Sequence, residues 1–287
     1  MKNVDTTSSA PIDLAASAEP SRSRVIVFAH ASGGAGATTL AVNAALHLAR
    51  RGAGTRRVCL LDLDLQFGTV DLQFNLPVRS QLADLAANPE RLDEQMLENM
   101  MVDGPDGVRV LTAPSTVLPL DIFRPATIGS ILEFARRRYD DVVIDLPVAL
   151  TAWTDMVLNH ADKVFLVTQI NVIALRTARM LLDTLFVEGL ARGSISVVVN
   201  RYPAKGHGAR ITLNRGEEVL GLPVSACIPS DYPSIMESLD YGKPATLTAP
   251  HSRFATAVAA LLDTMEGDRT SVDVDTAGRG LFSIWRK

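Results

Sequence analysis

The sequence predicts an α/β fold: a doubly wound, mostly parallel sheet with helices on both faces. Three observations lead there. From residue 24 onward, short β-branched runs alternate with longer stretches of helical periodicity. Most of the short runs are continuously apolar rather than alternating, as strands buried on both faces of a parallel sheet must be. The first run also opens into a glycine-rich turn followed by a helical stretch, and strand–helix–strand repetition of this kind winds helices onto both sides of a sheet.

Taken in order, the predicted strands are Arg24–Ala29, Arg57–Leu63, Val108–Thr112, Asp141–Leu146, Lys163–Thr168, Ile195–Asn200 and Val224–Ile228. Helical periodicity covers Thr38–Arg51, Pro125–Arg138, Val172–Glu188, Ile211–Leu220 and His251–Met265. The domain is expected over residues 24–266. Residues 1–23, rich in Ser, Ala and Pro, read as a flexible lead-in without the apolar core of a signal peptide. Residues 267–287 read as a polar linker and a short amphipathic tail.

A chain of 287 residues suits one large domain with tails, and a hydrophobic fraction of 47% supports a sizeable core. No apolar run approaches the roughly 18–20 residues of a membrane span, so a cytoplasmic protein is expected. The net charge of −4 disfavours a strongly basic nucleic-acid binder. Arg136, Arg137 and Arg138 end a helical stretch, where cations complement the helix dipole. Cys59 and Cys227 lie in separate apolar runs and read as buried structural thiols.

In open α/β sheets ligands bind beyond the carboxyl ends of the strands, so the residues that follow each strand carry the chemistry. After the first strand comes His30-Ala31-Ser32-Gly33-Gly34-Ala35-Gly36-Ala37-Thr38-Thr39. Glycines let the backbone turn N–H groups inward, and the next helix adds the positive end of its dipole. The result is an anion cradle for a di- or triphosphate. Thr38 would place a hydroxyl on Mg2+, and Thr39 could donate to the α-phosphate. The usual loop ends in Gly-Lys-Ser/Thr, whereas here the lysine position is Ala37 and the leading glycine position is Ala31. Losing one preorganised donor costs roughly 10²–10³ in rate, so slow hydrolysis is expected while binding survives.

The second strand delivers Asp62 and Asp64 at alternate positions, suited to a magnesium water shell or an attacking water. Asp64 is the candidate catalytic group. The strand Asp141–Leu146 sets Asp145 behind three apolar residues, a Walker B arrangement in which Asp145 would hold a magnesium-ligand water. Buried carboxylates are costly unless paired or metal-linked.

These pieces in this order resemble the deviant-Walker MinD/ParA P-loop ATPases, and within them the CpaE/TadZ branch that localises the assembly machinery of tight-adherence (Flp-type) pili. The resemblance runs from about residue 24 to 266 and is carried by GGAGATTLAVNAALHLA, LLDLDLQFGTVDL, RSQLADLAANPERLDE, VVIDLPVALTAWTDMVLNHADKVFLVTQ, ISVVVNRY and IPSDYPSIMESLDYGKPA. It implies ATP or ADP with Mg2+ as ligands, bound by Gly33 through Thr39. It further implies Asn200 on the adenine edge, Arg201 beside it, and Pro229 through Asp231 bordering the base. Thr38, Asp62 and Asp145 would form the metal site, the aspartates through water.

The resemblance also implies a nucleotide-dependent homodimer, pilus or secretion-machinery partners, and a position at the inner membrane or a cell pole. The signature lysine that reaches across an ATP-sandwiched dimer is Ser32 here, so both lysines are absent. His30 or Lys205 could supply a cation instead, with no spacing to choose between them. The receiver-like domain common at the N-terminus of this branch is replaced by residues 1–23. In the tail, Leu281, Phe282, Ile284 and Trp285 share one helical side and Arg279, Ser283, Arg286 and Lys287 the other, a pattern suited to an anionic membrane surface. An ATPase completed by a partner or second protomer, and a ParA-like DNA-partitioning protein, are the alternatives.

Overall fold

The computed structural model describes residues 23–52, 54–77, 82, 83, 85, 91–203 and 210–267. The expectations for residues 1–22, for the tail 268–287 and for Lys205 fall outside them, as does most of RSQLADLAANPERLDE.

Eight strands form one sheet in the order β3-β4-β2-β5-β1-β6-β7-β8. They are β1 (Arg24–His30), β2 (Val58–Asp62), β3 (Val102–Asp103), β4 (Arg109–Leu111), β5 (Asp141–Leu146), β6 (Lys163–Thr168), β7 (Ile195–Tyr202) and β8 (Val224–Pro229). All neighbours pair in parallel except β3, which runs antiparallel to β4 at the edge. The helices are α1 (Ala37–Arg51), α2 (Val70–Phe74), α3 (Glu94–Met100), α4 (Pro125–Arg138), α5 (Thr154–Asn159), α6 (Val172–Val187), α7 (Leu213–Leu220), α8 (Tyr232–Tyr241), α9 (Ala245–Thr248) and α10 (Arg253–Gly267).

Strand alternation explains why both faces are apolar. On β1, Val25, Val27 and Ala29 enter one core with Ile131, Leu132 and Phe134 of α4 and Leu175 and Leu182 of α6. Ile26 and Phe28 enter the other, with Leu40, Ala44 and Leu48 of α1 and Phe254, Val258 and Leu261 of α10. A strand so placed can expose neither side, hence its unbroken apolar run.

Local signals set the helix starts. Asn171 accepts the Ala174 N–H at 2.9 Å to begin α6, and Thr212 accepts the Arg215 N–H at 3.3 Å to begin α7. The cap at Thr212 places the start of α7 two residues beyond the expected Ile211. α4 begins with Pro125, and its terminal Arg137 and Arg138 pair with Glu94 and Glu98 of α3. Cys59 and Cys227 are both free thiols, on β2 and β8. No helix among the described residues is long and apolar enough to cross a membrane.

The order places β1 between β5 and β6, while the chain leaves β1 for β2 on one side and later fills β6 to β8 on the other. This is the topological switch point, where a crevice opens beyond the strand ends. The glycine loop lies there.

Candidate functional site

The loop from Ser32 to Gly36 crosses the mouth of the crevice. Gly34 and Gly36 adopt left-handed conformations, with φ of 72° and 92°. Gly36 caps α1, whose first-turn N–H groups at Ala37, Thr38 and Thr39 have no intrahelical acceptors and form the positive end of the helix dipole. Gly33 and Gly34 are exposed, whereas Ala35 and Ala37 are completely buried in the core beneath.

Three tethers hold the loop in this shape. The Asn200 amide donates to the Ala35 carbonyl at 2.8 Å, Gln169 donates to the Gly34 carbonyl at 3.1 Å, and the Ala31 N–H donates to the Val167 carbonyl at 2.9 Å. A Cβ on Gly36 would lie 2.3 Å from the Asn200 amide nitrogen, so both the dihedral and the tether demand glycine there.

Asn200 ends the apolar part of β7 and has a second task. Its carbonyl oxygen accepts the Arg201 N–H at 2.8 Å, closing the chain over Arg201, which is itself left-handed at φ 52°. Such conformations concentrate at functional positions. Pro229 pairs in register with Tyr202, and the Ser230 N–H donates to the Tyr202 carbonyl at 2.9 Å. Thus Asn200, Arg201, Pro229 and Asp231 come together at neighbouring strand ends.

The carboxylates cluster on the other side of β1. Asp62 and Asp145 are register partners at the ends of β2 and β5, and both are fully buried. Burial pushes the Asp62 carboxyl well above the ordinary range, and the nearby Asp145 adds to the push. Burial also raises Asp145, while His30 and Thr38 pull it back down.

Their partners differ. The Asp62 oxygens accept the N–H groups of Asp64 at 3.2 Å and Val70 at 3.2 Å, fixing the loop between β2 and α2. Gly68 packs directly over Asp62, since a Cβ there would stand 2.3 Å from its oxygen. β2 ends at Asp62, so a turn rather than strand alternation positions Asp64. Asp64 caps that turn by accepting the Phe67 N–H at 3.2 Å and stays partly exposed.

Asp145 instead faces Thr38 and His30. His30 Nε2 lies 3.2 Å from Asp145 Oδ1 and 3.3 Å from Thr38 Oγ1. Asp145 Oδ2 and His30 Nδ1 are buried without a hydrogen-bond partner. A buried carboxylate oxygen left unpaired beside a threonine hydroxyl at a helix N-terminus fits a hydrated divalent cation. Thr38 and Asp145 therefore suit Mg2+, while Asp62 already serves two backbone groups.

Sequence reasoning missed Gln169. The rule that residues just past a strand carry the chemistry applies to it, since it directly follows β6. Asn43 was also unforeseen. Fully buried on α1, it donates to the Thr39 carbonyl at 2.8 Å and accepts from the Thr246 N–H at 2.8 Å and hydroxyl at 2.9 Å.

Comparison with known proteins agrees with this geometry. The AAA domain family model (AAA_31) matches residues 23–188. The septum site-determining protein MinD of Thermotoga maritima is 24% identical over 266 residues, covering 90% of this chain and 94% of the relative. An uncharacterised ATP-binding protein of Methanocaldococcus jannaschii is 24% identical over 234 residues, covering 81% and 84%. A ParA family ATPase from Chlorobium tepidum superposes with a TM-score of 0.74 at 27% identity, covering 83% of this chain and 98% of that one. The MinD of Pyrococcus horikoshii, solved in complex with Mg-ADP, does so with a TM-score of 0.68 at 25% identity, covering 87% and 100%. With a family model spanning most of the sheet and MinD and ParA proteins matching nearly end to end, the chain belongs to the AAA_31 family of AAA domains within the MinD/ParA P-loop ATPase superfamily.

Proposed function

We propose that this protein binds ATP or ADP with Mg2+ and acts as a localisation or assembly factor for tight-adherence (Flp-type) pilus machinery, with little or no hydrolysis. One observation carries the nucleotide part. The phosphate loop is fully shaped and tethered from below, with Thr38 facing Asp145, while the lysine position is the buried methyl of Ala37. Backbone amides, the α1 dipole and a threonine-anchored cation supply the grip on phosphate. In this reading Asn200, Arg201, Pro229 and Asp231 form the base-binding edge, and Asp64 orients water.

The pilus role rests on the sequence resemblance to the CpaE/TadZ branch, and homodimerisation with it. Contact of residues 279–287 with an anionic membrane belongs to the same reading.

Equilibrium titration with labelled ATP and Mg2+ tests the first part. Saturable binding is expected, and no binding at millimolar nucleotide refutes it. Steady-state turnover with and without pilus-machinery proteins tests the second. Turnover of about one per second would indicate a true ATPase completed by a partner instead. Salt-sensitive binding to nonspecific DNA would favour a partitioning protein.

A further inference from the structure

His30 stands where the metal-binding residues meet, and the nucleotide reading assigns it nothing. It is the last residue of β1, and its side chain is only 11% exposed. Its Nε2 lies 3.2 Å from Asp145 Oδ1 and 3.3 Å from Thr38 Oγ1. Three donor atoms from β1, β5 and α1 therefore form a compact triangle at the loop.

The spacing about His30 Nε2 is that of neighbouring ligands on one coordination face. An octahedral ion with bonds near 2.1 Å separates neighbouring ligands by about 3.0 Å. The two edges that meet at His30 Nε2, 3.2 Å to Asp145 and 3.3 Å to Thr38, exceed that by only a few tenths of an ångström. The unpaired Oδ2 of fully buried Asp145 adds a second sign that the cluster awaits a charged partner.

From this geometry we infer that His30 is a nitrogen ligand of the nucleotide-associated cation, making this a mixed nitrogen–oxygen site that favours first-row transition ions such as Mn2+ over Mg2+. Imidazole suits such ions, whereas Mg2+ demands oxygen and water. Thr38 Oγ1 and Asp145 Oδ1 complete the protein face, and phosphate oxygens and water take the remaining positions. The inference rests on the nucleotide reading, because the phosphate supplies the rest of the shell.

The experiment uses the full chain with ADP and Mn2+. Pulsed EPR of the Mn2+–ADP complex is recorded with natural-abundance protein and with uniformly 15N-labelled protein, the nucleotide being unlabelled in both. The expected result is a directly coordinated 14N coupling that becomes a 15N coupling on labelling the protein. Mn2+ affinity in the presence of ADP should exceed Mg2+ affinity by about tenfold or more, and H30Q should lose that preference. The spectra need no variant, so a poorly folding H30Q leaves the test intact.

Nucleotide bound tightly with no protein nitrogen coupled to Mn2+ would overturn the inference and leave the nucleotide reading standing. In that case His30 donates to Asp145 from outside the shell. Failure of ADP to bind with any metal or with none would remove both.

Discussion

Replacing Gly36 by alanine tests the cradle at the point where two demands coincide. The residue sits at φ 92°, and a Cβ there would lie 2.3 Å from the Asn200 amide nitrogen. A left-handed alanine costs about 1–2 kcal/mol. Driving Asn200 away breaks its 2.8 Å bond to the Ala35 carbonyl and leaves a buried acceptor unpaired, costing about 1–3 kcal/mol. Together the native loop geometry loses about 2–5 kcal/mol.

Because the loop lies beyond the carboxyl end of β1 with Gly33 and Gly34 exposed, most of this should appear as loop distortion rather than unfolding. Nucleotide affinity then falls by about 30- to 4,000-fold, at about 1.4 kcal/mol per tenfold. Fluorescent-nucleotide titration measures it, with a thermal melt as a folding control. A double-mutant cycle sharpens the test. In G36A/N200A the clash is gone, so the combined loss must be smaller than the sum of the two single losses. Affinity of G36A equal to wild type, or strictly additive losses, would refute the account.

Other consequences are spread across the fold. N43A leaves the Thr246 N–H and hydroxyl without their acceptor and should lower the melting temperature by about 5–15 °C; a shift under one degree would show that α9 is held some other way. The Arg57 guanidinium holds the Asp140 carboxyl below the usual range, so that pair contributes stability at neutral pH that is lost as pH falls from about 4 through the lowered value. D140N should therefore flatten the acid limb of urea stability, by at most about 1 kcal/mol because Arg57 is largely exposed; an unchanged limb contradicts it. Burial pushes the Cys59 thiol well up and Cys227 up less deeply within the fold, so native thiol titration should modify Cys227 first and Cys59 only on opening; rapid labelling of Cys59 would contradict its placement.

What the sequence made readable follows from how local each signal is. The strands β1, β5 and β6 are announced by unbroken apolar runs, and the glycine loop by its residue types. β3 spans two residues and pairs antiparallel with β4, too short to carry a period. The short helices α2, α5 and α9 hold 5, 6 and 4 residues, too few for an amphipathic repeat. His30 could be listed as a stray cation but not placed, because its partner Asp145 lies 115 residues away. Likewise, a base-edge role for Asn200 can be proposed from its motif, whereas its grip on Ala35 spans 165 residues and needs the folded chain.

The tethers also bear on what the missing lysine removes. A loop that orders only on binding subtracts that ordering from its affinity. Here Asn200, Gln169 and the Ala31 N–H hold the loop before any ligand arrives, so little ordering is left to subtract. A lysine at position 37 would act chiefly on charge that grows on the phosphates as the bond breaks, an interaction stronger in the transition state than in the ground state. Its absence should therefore depress turnover far more than affinity. Tight nucleotide binding with negligible hydrolysis is the expected result. Weak binding with brisk turnover would mean that charge compensation comes from outside the chain, and that the preformed loop contributes less than its hydrogen bonds imply.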